Sequence, residues 1–250
     1  APILVAPAMH TEMWQNAATL NNVATLRARG IEVLDPAVGR LTGADSGPGR
    51  LPEPEEIVSA ALALAAPQDL AGKRILISAG GTQEPIDPVR FLGNHSSGKQ
   101  GIALAVEATK RGASVTLVAA NVSEAIPALY KVIRVSTASE LSEAIIAELL
   151  EVDAVIMAAA VADFRVEMAA DKKLKRSELG SEINLKLVAN PDILAEVASL
   201  PAAPYCVGFA AESQNLDEYA EAKRLRKRLP LIIGNLVADG LGTLENRVTL

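Results

Sequence analysis

A single cysteine, Cys206, stands among 250 residues. No internal disulfide is possible, and a reducing cytoplasm is the expected setting. Aromatic residues make up only 3% of the chain. Its core must therefore come from Ala, Val, Leu and Ile, a composition that suits parallel strands covered by helices. No apolar run approaches the ~20 residues that cross a bilayer, so no membrane partner is expected, and no signal peptide is visible. A basic excess is also lacking. The formal net charge is −6, which argues against nucleic acid as a partner. The initiating methionine is missing as well. The chain opens at Ala1 just before a strand-like Ile3-Leu-Val5 and stops in a strand-like Arg247-Val-Thr-Leu250. Both ends read as cut from a longer protein.

Half of the residues are apolar, and their periodicity divides the chain. Residues 1–66 carry a strand at 3–5, a helix near 11–29, a short strand at 31–34, a glycine-rich loop and a helix near 53–64. Residues 67–72 read as a linker. From Lys73 onward strand and helix signals alternate. Strands are expected at 74–78, 114–119, 131–135, 153–158, 183–188, 205–210 and 230–234. Helices are expected at 99–111, 138–150, 191–199 and 215–228. That alternation predicts right-handed crossovers and an α/β fold, doubly wound on a mostly parallel, Rossmann-like sheet.

The most informative stretch is Ser78-Ala-Gly-Gly-Thr-Gln-Glu-Pro-Ile-Asp-Pro-Val-Arg90-Phe-Leu-Gly-Asn94-His-Ser-Ser-Gly-Lys99. It is an unusually long polar connection from a buried strand to a helix, and in an open parallel sheet ligands bind at such strand ends. Its hydroxyls, amide, arginine and lysine suit phosphate or carboxylate oxygens. It lacks the G-x-G-x-x-G of dinucleotide sites, and the next strand ends in Ala-Ala-Asn121 rather than in an acid. The P-loop pattern is absent too, because Gln100 follows Gly98-Lys99.

Four later segments fall at strand ends. Asp163, in Ala158-Ala-Ala-Val-Ala-Asp-Phe-Arg165, can accept ribose hydroxyls, hold Mg²⁺, or simply form a turn. Lys172-Lys-Leu-Lys-Arg176 is a basic cluster on a loop. It is either a solvated face or a mobile cover for a triphosphate. Asn190-Pro-Asp192 is a natural helix start whose amides can face a ligand. Gly208-Phe209-Ala-Ala-Glu212 ends the strand that follows. Lys223-Arg-Leu-Arg-Lys227-Arg reads mainly as an outer helix face, with one or two side chains free to reach phosphates. Asn235 ends the last strand, at the same ligand edge.

In the first segment Pro7-Ala-Met9-His10-Thr-Glu-Met13-Trp14 and Gly43-Ala-Asp-Ser-Gly-Pro-Gly-Arg50 stand out. Helical spacing places Trp14 near Met13 and His10, which by itself means packing. His10 has the chemistry of an acid or base, and the glycine-rich loop that of an anion clamp or a plain turn.

Taken together and in this order, these motifs resemble the bifunctional family of coenzyme A biosynthesis that joins phosphopantothenoylcysteine decarboxylase to phosphopantothenate–cysteine ligase. The resemblance covers nearly the whole chain. Residues 73–250 look like the ligase domain without its C-terminal end. Residues 1–66 look like the last third of the flavin-dependent decarboxylase, a partial flavoprotein-type α/β segment. Here Met9, His10, Met13, Trp14 and Arg50 match decarboxylase motifs, with His10 where the family has asparagine and Gly43 aligned where it often has cysteine. Those departures, and a start without the flavin-binding part, speak against decarboxylation by this chain.

The resemblance implies CTP-dependent joining of cysteine to 4′-phosphopantothenate through an acyl-cytidylate, with Mg²⁺ bridging phosphates and FMN confined to the full decarboxylase. It implies catalytic roles for Lys173, Asn94 and Arg90. It assigns Gly81, Asp163, Lys175, Asn190, Asp192, Phe209, Lys223 and Lys227 to the nucleotide, and His95, Ser96, Ser97, Gly98 and Lys99 to the other substrate. A homodimer through the ligase domain is expected. The alternatives are an NAD(P)- or flavin-dependent oxidoreductase, whose sheet would look similar, and a non-catalytic relative.

Overall fold

The computed structural model describes residues 2–42, 46–127, 131–237 and 246–250. The chain divides into two compact units, residues 1–68 and 69–250.

The first unit begins with β1 (Leu4–Val5), α1 (Thr11–Trp14), α2 (Ala17–Ala28) and β2 (Glu32–Val33), continues through β3 (Ala37–Arg40) and β4 (Ser46–Arg50), and closes with α3 (Pro54–Ala65). β1 pairs with β2 in parallel, and β3 with β4 in antiparallel fashion. The helix expected over 11–29 is broken. Asn16 turns to an extended conformation and its side chain accepts Ala18 N at 2.9 Å, which starts α2. A short amide side chain that captures a main-chain N–H ends one helix and caps the next. The expected glycine-rich loop is in part a strand: residues 46–50 form β4. Gly43 lies outside the described residues. Among the described apolar side chains of this unit only Trp14, Val33, Pro36 and Pro52 are buried.

The second unit runs β5 (Arg74–Gly80), β6 (Gln83–Pro85), β7 (Phe91–Gly93), α4 (Lys99–Lys110), β8 (Ser114–Ala120), β9 (Lys131–Val135) and α5 (Ala138–Glu148). It continues with β10 (Ala154–Met157), β11 (Phe164–Val166), α6 (Arg176–Leu179), β12 (Leu187–Ala189), α7 (Ile193–Ala198), β13 (Tyr205–Glu212), α8 (Leu216–Lys227) and β14 (Leu231–Leu236). Six strands form one sheet in the order β14-β13-β10-β5-β8-β9, and every pair in it is parallel. Numbered along the chain that order is 3-2-1-4-5-6, the Rossmann order, with its switch point between β5 and β10.

Both faces of this sheet are covered. Leu76, Val118, Val155 and Cys206 pack with Leu141, Ile145, Ile193 and Val197 from α5 and α7 on one side. Ile75, Ile77, Val115 and Leu117 pack with Ile102, Ala105 and Ala108 of α4 on the other. Leu76 and Ile77 are essentially inaccessible. Burying each such side chain contributes roughly 1.5–3 kcal/mol. α4 approaches β5 closely because Gly101 has no Cβ; one there would stand 2.6 Å from Ala79 Cβ.

The strand expected at 183–188 does not join this sheet. Leu187–Ala189 pairs instead with β11 in a separate antiparallel ribbon. The long connection after β5 is not a bare loop either, since β6 and β7 fold it into a hairpin. Among the described residues no helix is long and apolar enough to cross a membrane.

Candidate functional site

β5 and β10 continue to hold each other beyond their last paired residues. Ala160 N donates to Gly80 O at 2.8 Å, Thr82 N donates to Ala160 O at 3.1 Å, and Thr82 Oγ1 accepts Ala162 N at 2.9 Å. Gly81 sits under this seam, where a Cβ would lie 2.9 Å from Asn94 O. These ties turn the carboxyl ends of the two central strands into the floor of a cavity of about 690 Å³.

Residues from distant parts of the chain form its walls. Asn94, His95 and Ser96 come from the connection after β5, and Met157 to Phe164 from the end of β10 and the segment that leads into β11. Asn190 and Asp192 come from the start of α7, Phe209 from β13, Lys223 and Lys227 from α8, and Asn235 from β14. A smaller space of about 400 Å³ adjoins it. There Asp163, Asp192 and Glu212 face Lys223, Arg226 and Lys227. Mixed signs in one cleft suit a ligand with both hydroxyls and phosphates.

Hydrogen bonds fix what several of these side chains do. Asn94 Nδ2 donates to Val161 O at 3.2 Å, joining the two walls. Asn190 Nδ2 donates to Ala162 O at 2.8 Å, while Asn190 Oδ1 accepts from Arg165 at 3.1 Å. The Asn190 amide thus shapes the wall rather than pointing free into the cavity. The α7 cap falls on Asp192, not Asn190: its side chain accepts Ala195 N at 3.2 Å. Asp192 also binds Lys227 Nζ at 2.7 Å. Burial raises the Asp192 carboxyl, but the hydrogen bonds from Lys227 and Ala195 N outweigh it and hold the group below its ordinary value. Lys223 Nζ donates to Phe209 O at 2.8 Å. Burial, followed by the neighbouring Lys227, pushes its ammonium below the ordinary lysine value.

The remaining expected residues lie elsewhere. Ser97, Gly98 and Lys99 lead into α4 and are not among the residues lining the cavity; Lys99 pairs with Glu124 at 3.4 Å. Lys173 and Lys175 are exposed on the basic loop and also stand outside the lining. Arg90 binds Asp87 and the main chain of that loop. In the first unit Met9 N donates to Gly49 O at 2.9 Å, so the two motifs singled out there do meet. His10 O starts α1 by accepting Met13 N and Trp14 N, Trp14 is buried, and Arg50 pairs with Glu53.

Sequence reasoning assigned no role to Gln100 or Asn246, which also line the cavity and bond to each other at 3.1 Å. Asn246 arrives because Thr249 pairs with Gly234 on β14, a long-range contact with no local signal. Asp87 lies within the Ser78–Lys99 stretch, but nothing local shows what its second oxygen holds.

The place a dinucleotide would take is filled. Asn121, at the end of β8, donates to Gly81 O and Ser136 O, both at 2.9 Å. Val122 presses against Gly80 and Gly98 so closely that a Cβ at either would meet it within 3 Å. The Rossmann order is present without the dinucleotide site, which disfavours the oxidoreductase alternative.

The sequence model of the "DNA/pantothenate metabolism flavoprotein C-terminal domain" matches residues 70–250. The chain belongs to this family. The flavoprotein family model matches residues 1–66. The coenzyme A biosynthesis bifunctional protein CoaBC of Mycobacterium bovis is 49% identical over 255 residues, covering 96% of this chain and 61% of that protein. Its counterpart from Escherichia coli is 46% identical over 242 residues, covering 96% of this chain and 60% of that protein. The chain therefore spans about three fifths of the length of these relatives. The crystal structure of the C-terminal domain of a CoaBC protein superposes with a TM-score of 0.58 at 38% identity, covering 66% of this chain and 78% of that one.

Proposed function

We propose that the second unit joins cysteine to 4′-phosphopantothenate at the expense of CTP. The observation that carries this reading is the convergence of Asn94, Asp163, Asp192, Phe209, Lys223 and Lys227 on one cavity at the sheet's switch point. A carboxylate oxygen of 4′-phosphopantothenate attacks the α-phosphorus of CTP. The bond to pyrophosphate breaks and an acyl-cytidylate forms. The cysteine amine then attacks the acyl carbon, the amide forms, the amine loses a proton and CMP departs.

Charge stabilisation dominates such chemistry. Lys223 and Lys227 supply positive charge inside the cavity, and Lys175, on the basic loop outside its lining, is assigned to the nucleotide with them. Lys173, on that same loop, is assigned to the phosphates during the first step. Asp163 is placed at the ribose, and Phe209 and Asp192 frame the nucleotide. Asn94, together with Arg90, is assigned to holding the acyl-cytidylate for the second step. His95 and Ser96 face the pantothenoyl side. Among the described residues no group of three or more His, Cys, Asp or Glu stands ready to hold a metal, so Mg²⁺ would be held mainly by the triphosphate it neutralises.

FMN belongs to the decarboxylase half of the bifunctional reading. Among the described apolar side chains of the first unit, Trp14, Val33, Pro36 and Pro52 are the buried ones. A second copy is placed against the paired ribbons. Val89 and Phe91, around β7, and Phe164, Met168 and Leu187, around β11 and β12, are all exposed apolar residues. Such a cluster marks a protein interface. A cytoplasmic setting is the reading that a chain with one cysteine, Cys206, favours.

Pyrophosphate release from CTP in the presence of 4′-phosphopantothenate tests the reading. Lys173→Ala should lower its rate at least tenfold. An unchanged rate would remove Lys173 from the first step. No CTP turnover by the unaltered protein would favour the non-catalytic relative.

A further inference from the structure

We propose that Asp87 is a positioning residue that sets where the basic loop carries Lys173. The inference rests on the ligase reading above.

Asp87 is 3% exposed, and its two oxygens have separate tasks. Oδ1 accepts Val89 N at 2.8 Å and Arg90 N at 2.9 Å, closing the Asp-Pro-Val-Arg turn. Oδ2 faces outward from that turn. It accepts Arg90 NH1 at 3.2 Å and, from 87 residues further along the chain, Leu174 N at 3.1 Å. The Arg90 guanidinium completes the grip by donating to Leu174 O at 3.0 Å. Both main-chain polar groups of Leu174 are thereby held by one ion pair. A second tie lies four residues earlier, where Ala170 N donates to Ile86 O at 2.9 Å.

Leu174 sits between Lys173 and Lys175, both exposed. Between β11 and β12 the chain forms little regular structure beyond the four-residue α6. A segment so poor in ladder bonds depends on individual ties for its position. A turn alone needs only Oδ1. The use of Oδ2, across a separation of 87 residues, points to a task beyond the turn. Displacing a catalytic group by about 1 Å can cost 100-fold in rate, so the grip on Leu174 bears directly on Lys173.

Two substitutions separate the turn from the grip. In Asp87→Asn the amide keeps one acceptor for the turn but presents a donor to Leu174 N. In Asp87→Ser a hydroxyl still serves the turn and is too short to reach the loop. The full-length protein is assayed for CTP-dependent pyrophosphate release and for tryptic cleavage after Lys173, with thermal unfolding confirming the fold. Both variants should cleave faster in the loop and lose roughly 10- to 100-fold in kcat, with KM for 4′-phosphopantothenate little changed. For pyrophosphate release in a first turnover without cysteine, Asp87→Asn combined with Lys173→Ala should be no slower than Lys173→Ala alone, because in that step Asp87 acts through the lysine. Losses that multiply, unchanged kcat, or unchanged loop cleavage in the Asp87 variants would overturn the positioning role while leaving the ligase reading intact. If Lys173→Ala is itself fully active, the assignment of Lys173 fails first and the positioning role falls with it.

Discussion

Lys223 Nζ donates to the main-chain oxygen of Phe209 at 2.8 Å, anchoring a half-buried ammonium at the end of β13. Burial, then Lys227, holds this group below the ordinary 10.5, while Glu212 and Asp163 pull the other way. For a base with a depressed pKa, the unfolded chain keeps its proton to higher pH than the folded one. The cost to folding is complete below the folded value and disappears as pH rises toward 10.5. Ligand binding runs the opposite way, since the charge that attracts phosphate is lost earlier than from a free lysine. CTP affinity, followed by calorimetry from about pH 7 to about pH 10, should fall early in the unaltered protein. In Lys223→Arg the guanidinium stays charged, and that early fall should vanish. Coincident profiles would remove Lys223 from the phosphate site.

Asn121 occupies the position where a dinucleotide site carries its acid. Asn121→Asp should not create such a site, because Val122 still fills the space beside Gly80 and Gly98. The carboxylate cannot donate, so Gly81 O and Ser136 O lose their partner. A loss of about 1–3 kcal/mol is expected from urea unfolding, with no NADPH binding in a fluorescence titration. Saturable NADPH binding by the variant would contradict the account of the filled crevice.

Gly101 lets α4 lie on β5. In Gly101→Ala the new methyl would meet Ala79 Cβ at 2.6 Å and Ser78 O at 2.8 Å. Neither neighbour has a flexible end that can move aside. Overpacking of this kind costs about 1–3 kcal/mol, measurable as a lower midpoint in thermal or urea unfolding. A midpoint equal to that of the unaltered protein would show that the helix shifts freely.

Asn94 should separate the two chemical steps. In Asn94→Ala pyrophosphate should still be released in a first turnover, while CMP release slows at least tenfold as the second step loses its support. Quenched-flow product analysis should then show acyl-cytidylate accumulating. Equal slowing of both products would place Asn94 in the first step instead.

The sheet was legible because its signal is local. Each of Arg74–Gly80, Ser114–Ala120, Lys131–Val135, Ala154–Met157, Tyr205–Glu212 and Leu231–Leu236 coincides with an apolar or β-branched run. Errors came where local patterns compete with longer-range pairing. Ile183, Leu185 and Leu187 alternate as a strand does, yet only Leu187–Ala189 is paired, and with β11 rather than the main sheet. The sequence reads as one helix over 11–29, yet the Asn16 side chain takes a main-chain donor and splits it.

The sequence by itself determined the strand-and-helix alternation, the absent dinucleotide and P-loop patterns, and the motifs that carry the family resemblance. All of these depend on the order of residues within short windows. Tertiary structure decided which of those residues meet. Asn94 and Val161, Lys227 and Asp192, and Asp87 and Leu174 bond across long stretches of chain. Their pairing depends on the sheet order, which brings the ends of β5 and β10 together, and no local preference encodes it. The same physics took Lys99 to Glu124 and turned the Asn190 amide into a brace for Ala162. A polar group near a strand end satisfies whichever partner the folded backbone presents, and the folded backbone alone sets that choice.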